Sequence, residues 1–555
     1  MAEARFTAVG KLVSIVLIAG LIALGVYMVG FRPGGGGADD AATETPGSNG
    51  TPEAAEVAEV QVDVPKLSPP AAFQLKDNTV PIEISEYAGY AGLIAANGGL
   101  EPTENSVFFK QHGFKVRLTV SEDENWSELN EGKIGASVTT VDVLAAYGRQ
   151  LHAVVPAQIG YSRGADALVV RADIKRINDL KGKIVATAQF TEVDFFIRYL
   201  AQEAGLGIST IASLDAAPNP DRINLVYTEE AFAAGDLFLA EVKSGKNRIA
   251  GCLTWEPKVS EVVEASGGKA HVLTTNRNLL IVADVLVVHR GLAEQNPQIV
   301  AGLVHGLMEG NRMVRDRQAE YLDVVGRAFK WSRDDTKAEL ASVHLSNLPE
   351  NLAFFSGEID EAGSFPGIYQ SAVYAYGSTL IKDPVDSDRF MDMKALQALD
   401  KGGLFKEQKV AISPIRTAST GTLEVDPLLS KDIRFLFEPN SATLDVSNQE
   451  NIRNLEAIRK LVQVSPGSTL LLRGHTDNAL VARFRQQGGE AYVRTQALRA
   501  VELSKDRAAE IRKQLNERYK IDNARIDIVG RGWEEPVSQD SEQNRRVEVQ
   551  WFTLE

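Results

Sequence analysis

Apolar and polar positions change their pattern repeatedly along this chain. Leu12 to Phe31 is apolar throughout, apart from Ser14, Tyr27 and glycines. From Arg32 to about Asn78 the chain is rich in Gly, Ala, Thr, Glu and Pro and almost without aromatic residues. From Val80 short apolar runs alternate with helical patterns. The runs Ile82–Ile84, Val116–Val120, Ala136–Thr139, Ala153–Val155, Ala167–Val170, Ile184–Ala188, Ile223–Val226, Ile249–Leu253, His271–Leu273 and Val285–Val288 predict strands. Glu192–Ala204 and Ala231–Lys243 are examples of the helices between them. After Asn296-Pro297 Ile299, Leu303, Leu307 and Met308 fall on one face of a long helical run. Towards the C-terminus the alternation returns. Arg434–Phe437 and Thr469–Leu472 read as strands, Ser447 and Glu450 as a capping box ahead of Ile452, Leu455, Ile458 and Val462, and Ser504 as the cap of a helix carrying Ile511 and Leu515. Arg525–Val529 and the period-two run Val547, Val549, Trp551 complete the set.

The first apolar stretch is about 20 residues, the length that crosses a bilayer core. Arg5 and Lys11 precede it and Asp39 and Asp40 come after the glycines beyond Arg32, which predicts a single-pass anchor with a cytoplasmic N-terminus. A cleaved signal peptide is the competing reading, but it calls for a shorter apolar core and a small-residue cleavage site. The next segment buries too little to fold alone. As a flexible coil its ends lie about 40 Å apart, a tether that lets the next domain stand off the membrane. Strands alternating with helices predict α/β layers, mostly parallel sheets with helices on both faces. Expected domains are residues 1–32, N-terminus and transmembrane anchor; 33–79, linker; 80–410, a large α/β body; 411–430, a second linker; and 431–555, a small α/β sandwich.

Of 555 residues 44% are hydrophobic and 24% charged, ordinary globular material. The net charge of −15 argues against nucleic acid as a partner, since phosphate binding needs a basic footprint. The lone Cys252 excludes an intrachain disulfide framework and a cysteine-based zinc cluster. No His or Cys stands in metal or triad spacing, and no Gly-rich phosphate loop precedes a helix. The reading is therefore non-enzymatic, with no catalytic residue, no metal and no cofactor.

Three C-terminal blocks stand out: Gly474-His475-Thr476-Asp477-Asn478, Leu503-Ser504-Lys505-Asp506-Arg507-Ala508 and Asn544-Arg545-Arg546-Val547-Glu548. Together they resemble the signature of the OmpA-like peptidoglycan-binding domain over residues 431–555. The resemblance implies that Asp477 and Arg507 hold the ammonium and carboxylate of a diaminopimelate-type stem peptide, with Asn478 and Arg545 as further candidates. A carboxylate pairs with an ammonium, and a guanidinium holds a carboxylate through two parallel hydrogen bonds. The alternative is an Asp–Arg pair that ties a loop to a helix. His475 reads as structural. Residues 479–499 are longer than the family's usual connection and contain Arg483, Arg485 and Gly488-Gly489, which reads as a mobile basic loop. Flagellar stator proteins share a single span followed by such a domain, but the span here lacks an intramembrane carboxylate.

The middle region resembles the periplasmic solute-binding proteins of ABC importers, in the nitrate, taurine and thiamine-precursor group. The blocks that carry the resemblance are Ser162-Arg163-Gly164-Ala165-Asp166 with the strand after it, Asp179-Leu180-Lys181-Gly182-Lys183, Trp255-Glu256-Pro257 and Asp284-Val285-Leu286-Val287-Val288. It implies a two-lobed fold with a ligand cleft at the C-terminal ends of the strands. An internal echo, Glu128–Thr140 and Glu241–Thr254, fits two related lobes. Candidate solute-binding residues are Glu86, Tyr87, Thr139, Thr140, Asp142, Gln189, Thr191, Asp194, Trp255 and Glu256, each with an alternative reading as a packing or capping group. The aromatic and carboxylate mix suits an amine or a flat polar heterocycle, whereas the helix start near Thr191 suits an acid. The expected partners are peptidoglycan and an unidentified small solute, with sensing or a transport-associated role. The alternative is a scaffold whose middle domain docks an inner-membrane protein partner, or a stator-like accessory.

Overall fold

The computed structural model describes residues 56–121, 125–277, 279–357, 363–412, 427–438, 441–465, 467–540 and 542–552. The apolar stretch at 12–31 and the first part of the linker lie outside the described residues, as does most of the 411–430 segment. Among the described residues no helix is long and apolar enough to cross a membrane.

The body is built on two six-stranded sheets. The first holds β1 (Thr79–Ile84), β2 (Lys115–Val120), β3 (Ala136–Thr140), β4 (Ala153–Ser162), β11 (Ala283–His289) and β12 (Val343–Leu345) in the order β12-β4-β11-β3-β1-β2. The second holds β5 (Asp166–Arg171), β6 (Ile184–Ala188), β7 (Gly207–Thr210), β8 (Arg222–Thr228), β9 (Ile249–Trp255) and β10 (Ala270–Thr275) in the order β10-β5-β9-β6-β8-β7. β3, β1 and β2 run parallel, and so do β9, β6 and β8. In each sheet a strand arriving from the other lobe pairs antiparallel with that trio, β11 on β3 and β5 on β9. The echoed segments end in β3 and β9, which hold equivalent places. This is a two-lobed α/β fold of the periplasmic-binding-protein type.

The sheets are mixed rather than mostly parallel, because each lobe borrows strands from chain that crosses the gap. The crossings run from Ser162 to Asp166 and from Thr275 to Ala283. Strands buried on both faces read as unbroken apolar runs, and β4 and β11 are buried along their whole length. The Pro297–Asp316 helix starts on its proline and buries Ile299, Leu303 and Leu307. At Gly310 an added Cβ would stand 1.9 Å from the Gly92 carbonyl oxygen, so only glycine permits that helix crossing. The Phe365–Leu380 helix packs on the Val141–Tyr147 helix of one lobe and the Glu192–Glu203 helix of the other.

Residues 56–78, which composition assigns to the free linker, form a strap tied to both lobes. Ala58 N–H donates to the Tyr227 carbonyl at 2.8 Å. The Gln189 side chain bonds the Gln61 backbone twice, at 2.8 Å each. Further along, Leu67 N–H donates to Gln150 Oε1 at 2.9 Å and Ala71 N–H to the Asn130 carbonyl at 2.8 Å. The strap buries little of its own; its backbone is satisfied by partners on the body, which composition cannot reveal.

The C-terminal sheet has β13 (Leu429–Ile433), β14 (Thr469–His475), β15 (Ile526–Gly532) and β16 (Val547–Phe552) in the order β13-β16-β14-β15. Helices Gln449–Val464 and Val481–Tyr519 lie with it, and Leu455, Ile458, Ile511, Leu515, Leu472 and Trp551 are buried. Four expectations need correction here. The first strand is Leu429–Ile433, not 434–437; Phe437 makes only an isolated bridge to Leu444. Asn448, not Ser447, caps the next helix by accepting from Glu450 N–H, while Ser447 turns back to Asp445. Ser504 sits inside a helix, and its Oγ accepts the Gly532 N–H at 3.0 Å. Residues 481–499 are helical rather than loop, with a break at Gly488 and Gly489, where Gly489 takes a φ of 62°. Gly474 explains the close fit of helix on sheet, since an added Cβ would stand 2.0 Å from the Ser504 carbonyl oxygen.

This domain docks on the second lobe through backbone bonds. Ile177 N–H donates to the Leu428 carbonyl at 2.9 Å, and Asn178 exchanges two bonds with the Ser430 backbone. Leu280 N–H, on the returning crossing, donates to the Val464 carbonyl at 2.9 Å.

Candidate functional sites

The first site is a cavity of about 140 Å³ between the lobes, where the ends of β1 and β3 face β9 and the two crossings. Of the residues singled out from sequence, Glu86, Tyr87, Thr139, Thr140, Thr191 and Trp255 line it. The other four stand elsewhere. Asp142 is fully buried behind the wall. Gln189 holds the strap. Asp194 is closed in an ion pair with Arg198 at 2.8 Å and accepts the Phe190 N–H at 3.2 Å. Glu256 caps the Lys258–Ala265 helix through Ser260, with bonds of 3.0 and 2.9 Å.

Asp194 also decides the acid question. The start of the Glu192–Glu203 helix, the place suited to an anion, already carries that carboxylate, and Glu192 beside it lines the cavity. Among the described lining residues there is no Lys, Arg or His.

Sequence reasoning missed the carboxylates that matter most. Asp166 opens β5 and Asp284 lies in β11, so each arrives on a strand that has just crossed between lobes. Both are 3% exposed. Tyr90 donates to Asp284 Oδ1 at 2.9 Å, while Oδ2 has no partner among the described residues. Asp166 Oδ2 accepts from Ser162 Oγ at 2.6 Å and Asn276 Nδ2 at 2.5 Å. Burial pushes the Asp284 carboxyl well above its usual range, and Asp166 and Asp142 nearby add to it. Burial pushes Asp166 up to about 6 against those hydrogen bonds. At the rim Glu339 is pushed up to about 7 by burial and by Glu256, Asp335 and Glu86. Both aspartates lie in the blocks of the solute-binding resemblance, but each stands at the start of its strand, whereas the cleft is expected at C-terminal strand ends.

The second site lies where β14 ends. Asp477 Oδ1 accepts from Ala479 N–H at 3.0 Å, and Arg545 Nε donates to Oδ2 at 2.7 Å. The ion pair is therefore Asp477–Arg545, not Asp477–Arg507. Arg507 stands beside it with its guanidinium 4.9 Å from the Phe437 ring centre and its Nε bonded to the Ser441 carbonyl at 3.1 Å. Burial and the Arg545 charge lower the Arg507 pKa, and Asp477 partly offsets them. Asn478 is exposed, and its carbonyl accepts the Val481 N–H at 3.1 Å as the long helix begins. His475 is buried, 3.6 Å from Glu548. His475, Glu535 and Glu548 lie close enough to hold a metal ion, but Arg473 bonds both carboxylates and supplies the countercharge.

Residues 436–550 match the OmpA family, so the C-terminal unit is an OmpA domain. No curated protein matches the chain. Among solved structures, the periplasmic aliphatic sulphonate binding protein SsuA from Escherichia coli is 16% identical, covering 63% of this chain and 99% of its own, with a TM-score of 0.43. A putative periplasmic sulfonate-binding protein SsuA from Methylobacillus flagellatus KT is 16% identical, covering 62% and 100%, with a TM-score of 0.44. The desulfurization enzyme DSZB is also similar, at 16% identity, 58% and 99% coverage and a TM-score of 0.37.

Proposed function

We propose that this chain is a binding protein of the cell envelope, holding a small solute in its interlobe cavity and peptidoglycan through its OmpA domain. The observation that carries the reading is the joining of two such sites on one body, with the OmpA domain bonded to the lobe-crossing segment at Leu280. In this reading Asp477, Arg545 and Arg507 receive the charged groups of a diaminopimelate-type stem peptide, with Asn478 at the edge. Arg507 brings a guanidinium whose Nη atoms have no hydrogen-bond partner among the described residues, and Asp477 exchanges its Arg545 partner for an ammonium. The stretch at 12–31 anchors the chain in the inner membrane, with the bulk of it periplasmic. A carrier fixed to the wall cannot diffuse between source and transporter, which favours sensing, or service to an importer that is itself fixed. In this reading the chemistry is binding rather than catalysis, with the cavity presenting carboxyls, hydroxyls and aromatic faces to a solute.

Co-sedimentation of the purified chain with isolated peptidoglycan sacculi tests the wall half. Wild-type protein is expected to pellet, and free meso-diaminopimelate to release it. Asp477→Ala and Arg507→Ala, still folded by circular dichroism, are expected to stay in the supernatant. Pelleting of both variants at the wild-type level would count against this site.

A further inference from the structure

The charge pattern of the interlobe cavity points to the class of its solute; the inference rests on the small-molecule reading above. Asp284, part of the cavity wall, has its Oδ2 buried and without a partner among the described residues. On the same wall the Thr139 and Thr140 hydroxyls are buried without a hydrogen-bond partner among the described residues, and the buried Tyr87 hydroxyl faces Ser162. Asp166, also buried, lines the same cavity from the end of the first crossing. A buried carboxylate without a countercharge is costly, and a native fold supplies a partner or leaves the place to a ligand. No cationic side chain lines this cavity among the described residues.

An anion would meet two buried carboxyls and a helix start already taken by Asp194. A neutral polar solute could satisfy the hydroxyls but would leave Asp284 protonated, whereas a cation supplies the countercharge that lets the carboxyl ionise. An ammonium supplies both the charge and three donors, which fits one free carboxylate oxygen set among hydroxyl acceptors. Tyr87 and Tyr90, edge to face with ring centres 5.4 Å apart, and Trp255 add aromatic surface that favours a cation. We infer that the cavity takes a compact primary amine, its ammonium against Asp284 Oδ2 and the Tyr87, Thr139 and Thr140 hydroxyls, and its short carbon chain towards Trp255. The cavity volume limits the chain to a few carbons.

The test is thermal shift and calorimetric titration of the full chain in detergent with a matched series: ethyl- to hexylamine and 1,4-diaminobutane, the alcohols of equal length, and the alkanesulfonates of equal length. The expected result is stabilisation by amines alone, with an optimum at a short chain. Asp284→Asn is expected to weaken the best amine at least tenfold and Tyr87→Phe several-fold, each with a cooperative melt. Should Asp284→Asn fail to fold, Tyr87→Phe and Thr139→Val carry the comparison. Alcohols or sulfonates binding as tightly as amines would overturn the inference and leave the small-molecule reading standing. Amine affinity untouched by these substitutions would also overturn it. Silence from all three series would overturn both.

Discussion

Asp194 looked like a solute ligand in the sequence and is an internal ion-pair partner in the fold, and this difference can be measured. Its side chain is wholly buried and that of Arg198 is 6% exposed, with 2.8 Å between Nε and Oδ1. Arg198 also donates to the Tyr227 hydroxyl at 2.7 Å and lies 5.1 Å from the Tyr376 ring centre. Asp194→Ala removes the only carboxylate in ion-pair contact with that guanidinium among the described residues. It also strips the Phe190 N–H of its acceptor. Leaving one charge of a buried pair uncompensated costs about 3–5 kcal/mol, a fall in melting temperature on the order of 10 °C. Arg198→Met leaves a carboxyl instead. Burial already raises the Asp194 pKa, so protonation relieves that cost and the loss is about 2 kcal/mol. The double variant removes both charges and is expected to recover most of the loss, a coupling of about 2 kcal/mol or more. Urea unfolding of the four proteins, monitored by tryptophan fluorescence, reads this cycle. Additive single losses, or wild-type stability in Asp194→Ala, would refute the ion-pair role.

The same geometry makes other sites testable. Asp166 and Glu339 have folded pKa values raised to about 6 and about 7, so the stability they contribute is full below about pH 4 and lost as pH rises to about 7. For buried Asp166 the loss is about 3 kcal/mol, and Asp166→Asn is expected to flatten the decline of melting temperature between pH 4 and 7. Glu548, held at about 2 despite burial by the His475 imidazole 3.6 Å away, the bond from Gln550 and the Arg473 charge, acts in the opposite sense: its stabilisation is present above about pH 4.5 and lost as pH falls towards 2, and acid melts of Glu548→Gln check this. Gly474→Ala forces a Cβ onto the Ser504 carbonyl and is expected to destabilise the OmpA domain by roughly 1–3 kcal/mol, read by chemical denaturation. Gln189→Ala frees the strap at Gln61; hydrogen exchange is expected to rise at residues 58–63 while the cavity's solute affinity changes less than twofold.

Much of the fold was written in the pattern. Ten apolar runs of the middle region are all strands; burial on both faces demands continuous apolar sequence in most of them, while β2 and β10 are only partly buried. β7 and β12 escaped because a strand of three or four residues at a sheet edge needs no such run. The antiparallel partners were also invisible: β5 and β11 look like any other strand locally, and only the crossing of the chain between lobes sets their direction. The same gap hid Asp166 and Asp284. In the OmpA domain Asp477, Arg507 and Arg545 come from three separate sequence blocks, and the structure brings them together. That Arg545 rather than Arg507 takes the ion pair depends on the turn after β14, which no spacing reports. Ser504 shows the limit of a capping signal: a serine before an apolar periodicity is equally suited to tie helix to sheet, and the segment before it is itself helical.

The most direct test of a solute-binding protein held at the wall is native mass spectrometry of the chain recovered from sacculi of its natural host. The account predicts that the protein fractionates with sacculi, elutes with free diaminopimelate, and carries one small adduct per chain. Absence from the sacculus fraction, or a bare chain mass in every preparation, would contradict it.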